Sequence, residues 1–209
     1  MIEPGTPAPD FALPDQDGNI VKLEDLRGQT SVLVFYPNDF SPVCTDQLNV
    51  YQEVLGELEA DGAQLYGVSV DSAWAHKAFQ RHLGVSIPLL ADFHPKGEVA
   101  KAYGVWVEKY GVSARALAMI GSDLSVKWSY RSPSPLEIPG ANLIFDALGD
   151  RPEAPRVRLA DAGVRLPRTQ DSDRRSASSG SEDAGRRASG SVRRARGACG
   201  RSPYERSAA

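Results

Sequence analysis

The chain has two cysteines, Cys44 and Cys199, and the first stands where a sulfur atom can be made into a nucleophile. The thiolate, not the thiol, attacks electrophiles and binds metals, so a reactive cysteine needs surroundings that favour negative charge. In the segment SVLVFYPNDFSPVCTDQLNV, the apolar run Ser31 to Tyr36 reads as a buried strand. Pro37 stops that strand because it has no N–H for the ladder. A polar loop, Asn38 to Ser41, follows. Pro42 then opens a helix running to about Asp61, with Ser41 as its N-cap, and Cys44 falls in the first turn. The first turn carries unpaired N–H groups and the positive end of the macrodipole, both of which favour a thiolate. A strand end feeding a helix N-terminus is also where open α/β sheets place their ligands. A lone cysteine is more often a buried structural residue. The flanking Pro-loop-Ser-Pro punctuation argues for the chemical reading here.

The elements that must hold this cysteine can be read around it. Residues 5–13 suit an edge strand that pairs with Ile20–Leu23 in a hairpin, and Glu24 to Gly28 forms a short helical turn. On the helix from Pro42, Leu48, Tyr51, Leu55 and Leu58 recur on one face. Gln64–Val70 is a second buried strand. Ser72 or Asp71 caps a helix over Ala73–Leu83, with Trp74, Ala78, Phe79 and Leu83 facing inward. A short strand at Ile87–Leu90 and a short helix over Gly97–Tyr103 follow. Strands 113–120 and 124–130 form a hairpin, and a last helix spans Asn142–Leu148. Buried strands alternating with helices imply parallel pairing and an α/β class.

Pro37, Ser41 and Cys44 match the pattern Pro-x-x-x-Thr/Ser-x-x-Cys, and the string FYPNDFSPVCTDQL extends the match. The chain resembles the peroxiredoxins of the AhpC/TSA superfamily over about residues 3 to 148, in the branch of AhpE-like and bacterioferritin-comigratory-protein-like thiol peroxidases. The resemblance implies a thioredoxin-like fold with an N-terminal hairpin and a central mixed sheet flanked by helices. It also implies thiol-dependent reduction of hydrogen peroxide and organic hydroperoxides at Cys44, through a sulfenic acid. Pro37 would shield the sulfur, and the Ser41 hydroxyl would donate to it or to the peroxide. The fixed cation is Arg115, in GVSARALAMIGSD, which resembles the family's arginine block and departs from it at Ala118 and Gly121. Arg115 opens an apolar strand and is expected at its rim. His76, in DSAWAHKAF, is given no role. Core packing is the expected place of Trp74, Phe79, Phe93, Tyr103 and Trp106.

Some relatives carry a resolving cysteine five residues after the first, where this chain has Asn49; others carry it in a C-terminal Val-Cys-Pro, which Cys199 in GACGRS does not match. A one-Cys mechanism is therefore expected, recycled by an external thiol: thioredoxin, a glutaredoxin-like protein or a low-molecular-weight thiol. A homodimer is expected by resemblance. A peroxide sensor or redox relay would use the same residues, and a binding protein driven by the basic tail is a further alternative.

Composition bounds the rest. The 209 residues suffice for one good core. Residues 1–150 hold 10 Lys+Arg against 20 Asp+Glu, whereas 151–209 hold 14 against 7, so an acidic domain carries a basic tail. Residues 1–149 are expected to form the folded domain. The Arg-, Ser- and Gly-rich stretch 150–209 has too little apolar content to offset chain entropy and is expected to be disordered. Nucleic acid is an unlikely partner, because acidic residues dilute the arginines. Two cysteines and three scattered histidines point to no metal, and no cofactor is expected. The N-terminus lacks the pattern of a signal peptide, and no apolar run approaches a membrane span, so a reducing cytoplasmic setting is expected.

Overall fold

A computed structural model describes residues 1–149. The expectations of a disordered tail, and every reading of Cys199, fall on residues outside the described ones. The centre is a five-stranded mixed sheet in the order β5-β4-β3-β8-β9. Its strands are β3 (Thr30–Phe35), β4 (Ala63–Ser69), β5 (Leu89–Ala91), β8 (Ala116–Ile120) and β9 (Val126–Arg131). β3, β4 and β5 run parallel, and β8 and β9 add on antiparallel to β3. Crossover helices supply the parallel connections: α1 (Pro42–Ala60) and α2 (Ala73–Leu83). α3 (Glu98–Ala102) and α4 (Ala141–Leu148) complete the helices. The N-terminal hairpin pairs β1 (Ala12–Pro14) with β2 (Ile20–Lys22), as expected, and a 3-10 turn follows at Leu23–Leu26. A second small hairpin, β6 (Trp106–Val107) with β7 (Val112–Ser113), splits what reads in sequence as one strand from 113 to 120.

Side chains of successive residues go to opposite faces of the sheet. Leu33, Phe35, Ala116, Ala118 and Ile120 enter one core, with the N-terminal hairpin and α3. Val32, Val34, Leu117 and Met119 enter the other, with α1, α2 and α4. Both faces are covered, which is why β3 and β8 read as unbroken apolar runs. On α1, Leu48, Tyr51, Leu55 and Leu58 are all buried. Each leucine there contributes about 1.5–3 kcal/mol of transfer free energy, enough to fix the helix on the sheet.

The phase of α2 differs from the sequence reading. Its inward residues are Ala73, His76 and Phe79, while Trp74 is 58% exposed and Ala78 is exposed. The inward reading of Trp74 rests on its hydrophobicity, but the N-cap sets the phase: Ser72 accepts a hydrogen bond from the Ala75 N–H at 3.3 Å, which turns Trp74 outward. Phe93 is likewise 53% exposed, so only Phe79 and Tyr103 of the expected core aromatics are fully buried, with Trp106 half-buried.

Gly67 in β4 shows how tightly the sheet's helix-covered face is filled. A Cβ there would lie 2.6 Å from Leu89 Cδ2 and 3.2 Å from Tyr36 Cε1. Gly67→Val should lower stability by about 1–3 kcal/mol through overpacking, measured as a fall in the urea midpoint. An unchanged midpoint would show that Tyr36 and Leu89 can give way.

Candidate active site

The site lies at the carboxyl ends of the parallel strands, the position favoured for ligands in open α/β sheets. Strand β3 ends at Phe35, and the Tyr36 N–H still donates to Val68 O at 3.1 Å. Pro37 is half-buried and ends the ladder. The loop then reaches Ser41, the N-cap of α1, and Pro42 at its first position. The Thr45 N–H donates to Ser41 O at 2.9 Å. The amides of Val43 and Cys44 therefore precede the first intrahelical hydrogen bond. Ser41 occupies the N-cap as expected, but its side chain accepts no capping bond; its hydroxyl donates to Asn38 O at 3.3 Å and so braces the loop.

Cys44 is completely buried. The group beside it is Arg115, whose Nη2–H donates toward Cys44 Sγ at 3.5 Å across 71 residues of sequence. Arg115 sits just before β8, one residue beyond the Phe35–Ala116 pair of the β3–β8 ladder. That register carries it to the end of β3, where the cysteine loop begins. The expected rim position is corrected here: Arg115 is 2% exposed and counts among the largest fully buried side chains.

Two neutral oxygens hold the guanidinium beside the sulfur. Its Nε–H and Nη2–H donate to Pro135 O at 3.1 and 3.0 Å, and its Nη1–H donates to Gln47 Oε1. The Ser132 N–H in turn donates to Arg115 O at 2.9 Å, so the β9–α4 loop folds over the arginine. Gln47 lies three residues after Cys44 and is fully buried on the same helix. Its Nε2–H donates toward Tyr51 Oη at 3.5 Å, and the Tyr51 hydroxyl donates to Pro139 O at 2.7 Å. Burial pushes the Tyr51 phenol up to about 12, so it stays a donor at neutral pH. No ion pair among the described residues includes Arg115. A buried cation without a carboxylate is unusual, because desolvation is costly unless an opposite charge compensates it.

The sequence reading thus names Cys44 and Arg115, and the fold brings them together. Gln47, Tyr51 and the Pro135 carbonyl join the site only through the fold. Gln47 is legible in retrospect as a polar residue on the buried side of α1, one turn from Cys44; a backbone carbonyl has no sequence signal. His76 has no role in the sequence reading, yet it is fully buried and hydrogen-bonded to Asp39 of the cysteine loop. Among the described residues, no group of three or more His, Cys, Asp or Glu could hold a metal ion, and no helix is long and apolar enough to cross a membrane.

Known proteins share the sequence and fold of this domain. The AhpC/TSA family model matches residues 4–129. Alkyl hydroperoxide reductase E of Mycobacterium tuberculosis is 34% identical over 149 residues, covering 71% of this chain and 97% of the relative. A putative peroxiredoxin bcp of Coxiella burnetii is 37% identical over 108 residues, covering 52% of this chain and 70% of the relative. Among solved structures, Enterococcus faecalis AhpC superposes with a TM-score of 0.65 at 28% identity, over 70% of this chain and 91% of that one. Peroxidoxin BcpB of Mycobacterium tuberculosis does so with a TM-score of 0.61 at 27% identity, over 71% and 95%. With a thioredoxin-like α/β fold, a family match over most of the described residues and relatives of nearly its own domain length, the chain belongs to the AhpC/TSA family and is a peroxiredoxin, a thiol-dependent peroxidase.

Proposed function

We propose that Cys44 is the peroxidatic nucleophile and Arg115 the cation that serves it, in a one-Cys cycle completed by an external thiol. The observation that carries this reading is the buried guanidinium 3.5 Å from Cys44 Sγ, with no carboxylate partner among the described residues. A thiolate supplies the missing counter-charge, and arginine stays charged whatever its surroundings. In the first step Sγ attacks the terminal peroxide oxygen. The S–O bond forms, the O–O bond breaks, and the electron pair leaves on an alkoxide or hydroxide that takes up a proton. Sulfur is oxidised to a sulfenic acid, and the peroxide is reduced to an alcohol or water. The Arg115 fork and the Val43 and Cys44 amides are donors placed for the charge that develops on oxygen. Ser41 braces the loop and offers its hydroxyl, and Pro37 covers the approach to the sulfur.

An external thiol then attacks the sulfenic sulfur and water leaves; a second thiol releases Cys44. Asn49 occupies the place of a nearby resolving cysteine, which supports an external reductant of the thioredoxin, glutaredoxin-like or low-molecular-weight class. Such recycling suits a reducing, cytoplasmic setting. Because Cys44 is fully buried, the thiol step requires the loop to open. A homodimer is part of the same reading: Trp74 and Phe93, both more than half exposed, are side chains a second copy would cover.

Stopped-flow reaction of the reduced protein with hydrogen peroxide and an organic hydroperoxide tests the assignment. Cys44→Ser should abolish the fast phase and Cys199→Ser should keep it. A Cys44–Cys199 disulfide forming at the catalytic rate would overturn the one-Cys cycle. Arg115→Ala should slow the peroxide step by about 10²-fold or more, as loss of an oxyanion donor does. Arg115→Lys should recover only part of that, because a lysine lacks the fork that reaches Gln47, Pro135 and Cys44 together. Full activity in Arg115→Ala would remove the arginine from the mechanism.

A further inference from the structure

The cysteine loop is fastened by a buried polar cluster whose hydrogen bonds reach neither Cys44 nor Arg115. Asp39, in the middle of the loop, turns its side chain inward and is 9% exposed. The Tyr36 hydroxyl donates to Asp39 Oδ1 at 2.8 Å. Asp39 Oδ2 and His76 Nδ1 lie within hydrogen-bonding distance, 2.9 Å apart. On the other side of the ring, His76 Nε2–H donates to Leu90 O in β5 at 3.2 Å. The Asp39 N–H donates to Asp71 Oδ2 at 2.9 Å, which also accepts from the Ser69 hydroxyl at 2.7 Å. One loop residue is thereby tied to the ends of β3 and β4, to α2 and, through the imidazole, to β5. Burial, reinforced by the Asp39 carboxylate, raises the Tyr36 phenol well above its ordinary range, which keeps it a donor.

The next residue shows what these ties hold. Phe40 has φ 58°, a left-handed conformation that side-chain-bearing residues seldom adopt and that persists only when the surroundings impose it. Its ring is 54% exposed and rests on Phe79 and His82 of α2, at centroid distances of 4.9 and 5.9 Å. Four residues later comes Cys44. Release of Asp39 frees the backbone on which Ser41, Pro42 and the first turn of α1 are built.

We propose that Asp39 and His76 are positioning residues of the thiol site: their buried pair holds the cysteine loop in the arrangement that sets Cys44 against Arg115. This rests on the peroxidase mechanism proposed above. The two half-reactions ask opposite things of the loop. Peroxide reduction needs Cys44 fixed beside Arg115, whereas an external thiol needs a sulfur that is exposed. Weakening the anchor therefore slows the first step and speeds the second, a pattern that simple loss of folded protein does not produce.

The test compares wild type, His76→Leu, His76→Asn, which keeps a donor toward Asp39, and Tyr36→Phe, which removes a single hydroxyl. Stopped-flow with hydrogen peroxide separates the rate constant, which reports site geometry, from the amplitude, which counts folded protein. Capture of the preformed sulfenic acid by 5-thio-2-nitrobenzoate reads the second step. Amide hydrogen exchange over residues 38–44 reads the loop itself, with β3 and β4 as internal controls. His76→Leu should lower the peroxide rate constant at least tenfold, raise the capture rate several-fold and speed loop exchange tenfold with strand exchange unchanged. His76→Asn should recover part of each effect, and Tyr36→Phe should move all three in the same direction by less. A normal rate constant with reduced amplitude, or unaltered loop exchange, would make the pair merely structural and overturn the proposal. A wild type without a fast peroxide phase would instead sink the peroxidase mechanism, and hydrogen exchange would still decide whether Asp39 and His76 hold the loop.

Discussion

A positive charge buried with no carboxylate partner among the described residues is the constraint on which this structure turns. Arg115 is almost inaccessible to water, and its donors end on an amide oxygen, a backbone carbonyl and a sulfur. Neutral acceptors satisfy its hydrogen bonds but do not cancel its charge. That imbalance is tolerable if the sulfur takes up negative charge, and the sulfur stands at the end of a helix whose dipole favours it.

The rest of the fold can be understood as the means of keeping that pair together. Parallel strands deliver the Cys44 loop to one end of the sheet, and the antiparallel register of β8 on β3 delivers Arg115 to the same end. The Gln47–Tyr51 relay runs along α1 from the arginine to the Pro139 carbonyl, linking the helix to the segment before α4. The β9–α4 loop closes over the guanidinium and supplies Pro135 O. Two separate stretches of chain, α1 and the β9–α4 loop, thus contribute to one arginine. A loop tied down on the far side through Asp39, Asp71 and His76 completes the cradle.

Much of this was legible in the sequence, and the rest was hidden for physical reasons. The buried strands, the long α1 and the Pro-punctuated loop followed from local rules: β-branched runs, apolar spacing and proline's missing donor. Cys44 was legible from the helix start alone, and Arg115 from resemblance. What local rules missed depended on tertiary contacts. Trp74 reads as core because it is large and apolar, yet the Ser72 cap sets a phase that buries His76 instead. His76 looks like an ordinary helix-face histidine until the fold sets Asp39 and Leu90 O on either side of its ring. The small β6–β7 hairpin is too short to leave a period in the sequence.

The pairing with Arg115, rather than burial itself, is what distinguishes a peroxide-reactive Cys44 from a structural thiol. The most direct measurement is the second-order rate constant of reduced wild-type protein with hydrogen peroxide, set beside free cysteine under the same conditions. Arg115 and the helix-start donors together predict a single fast phase, at least about a hundredfold above the free thiol, the worth of one well-placed donor. A rate equal to that of free cysteine would contradict the account and leave Cys44 as a packed core residue.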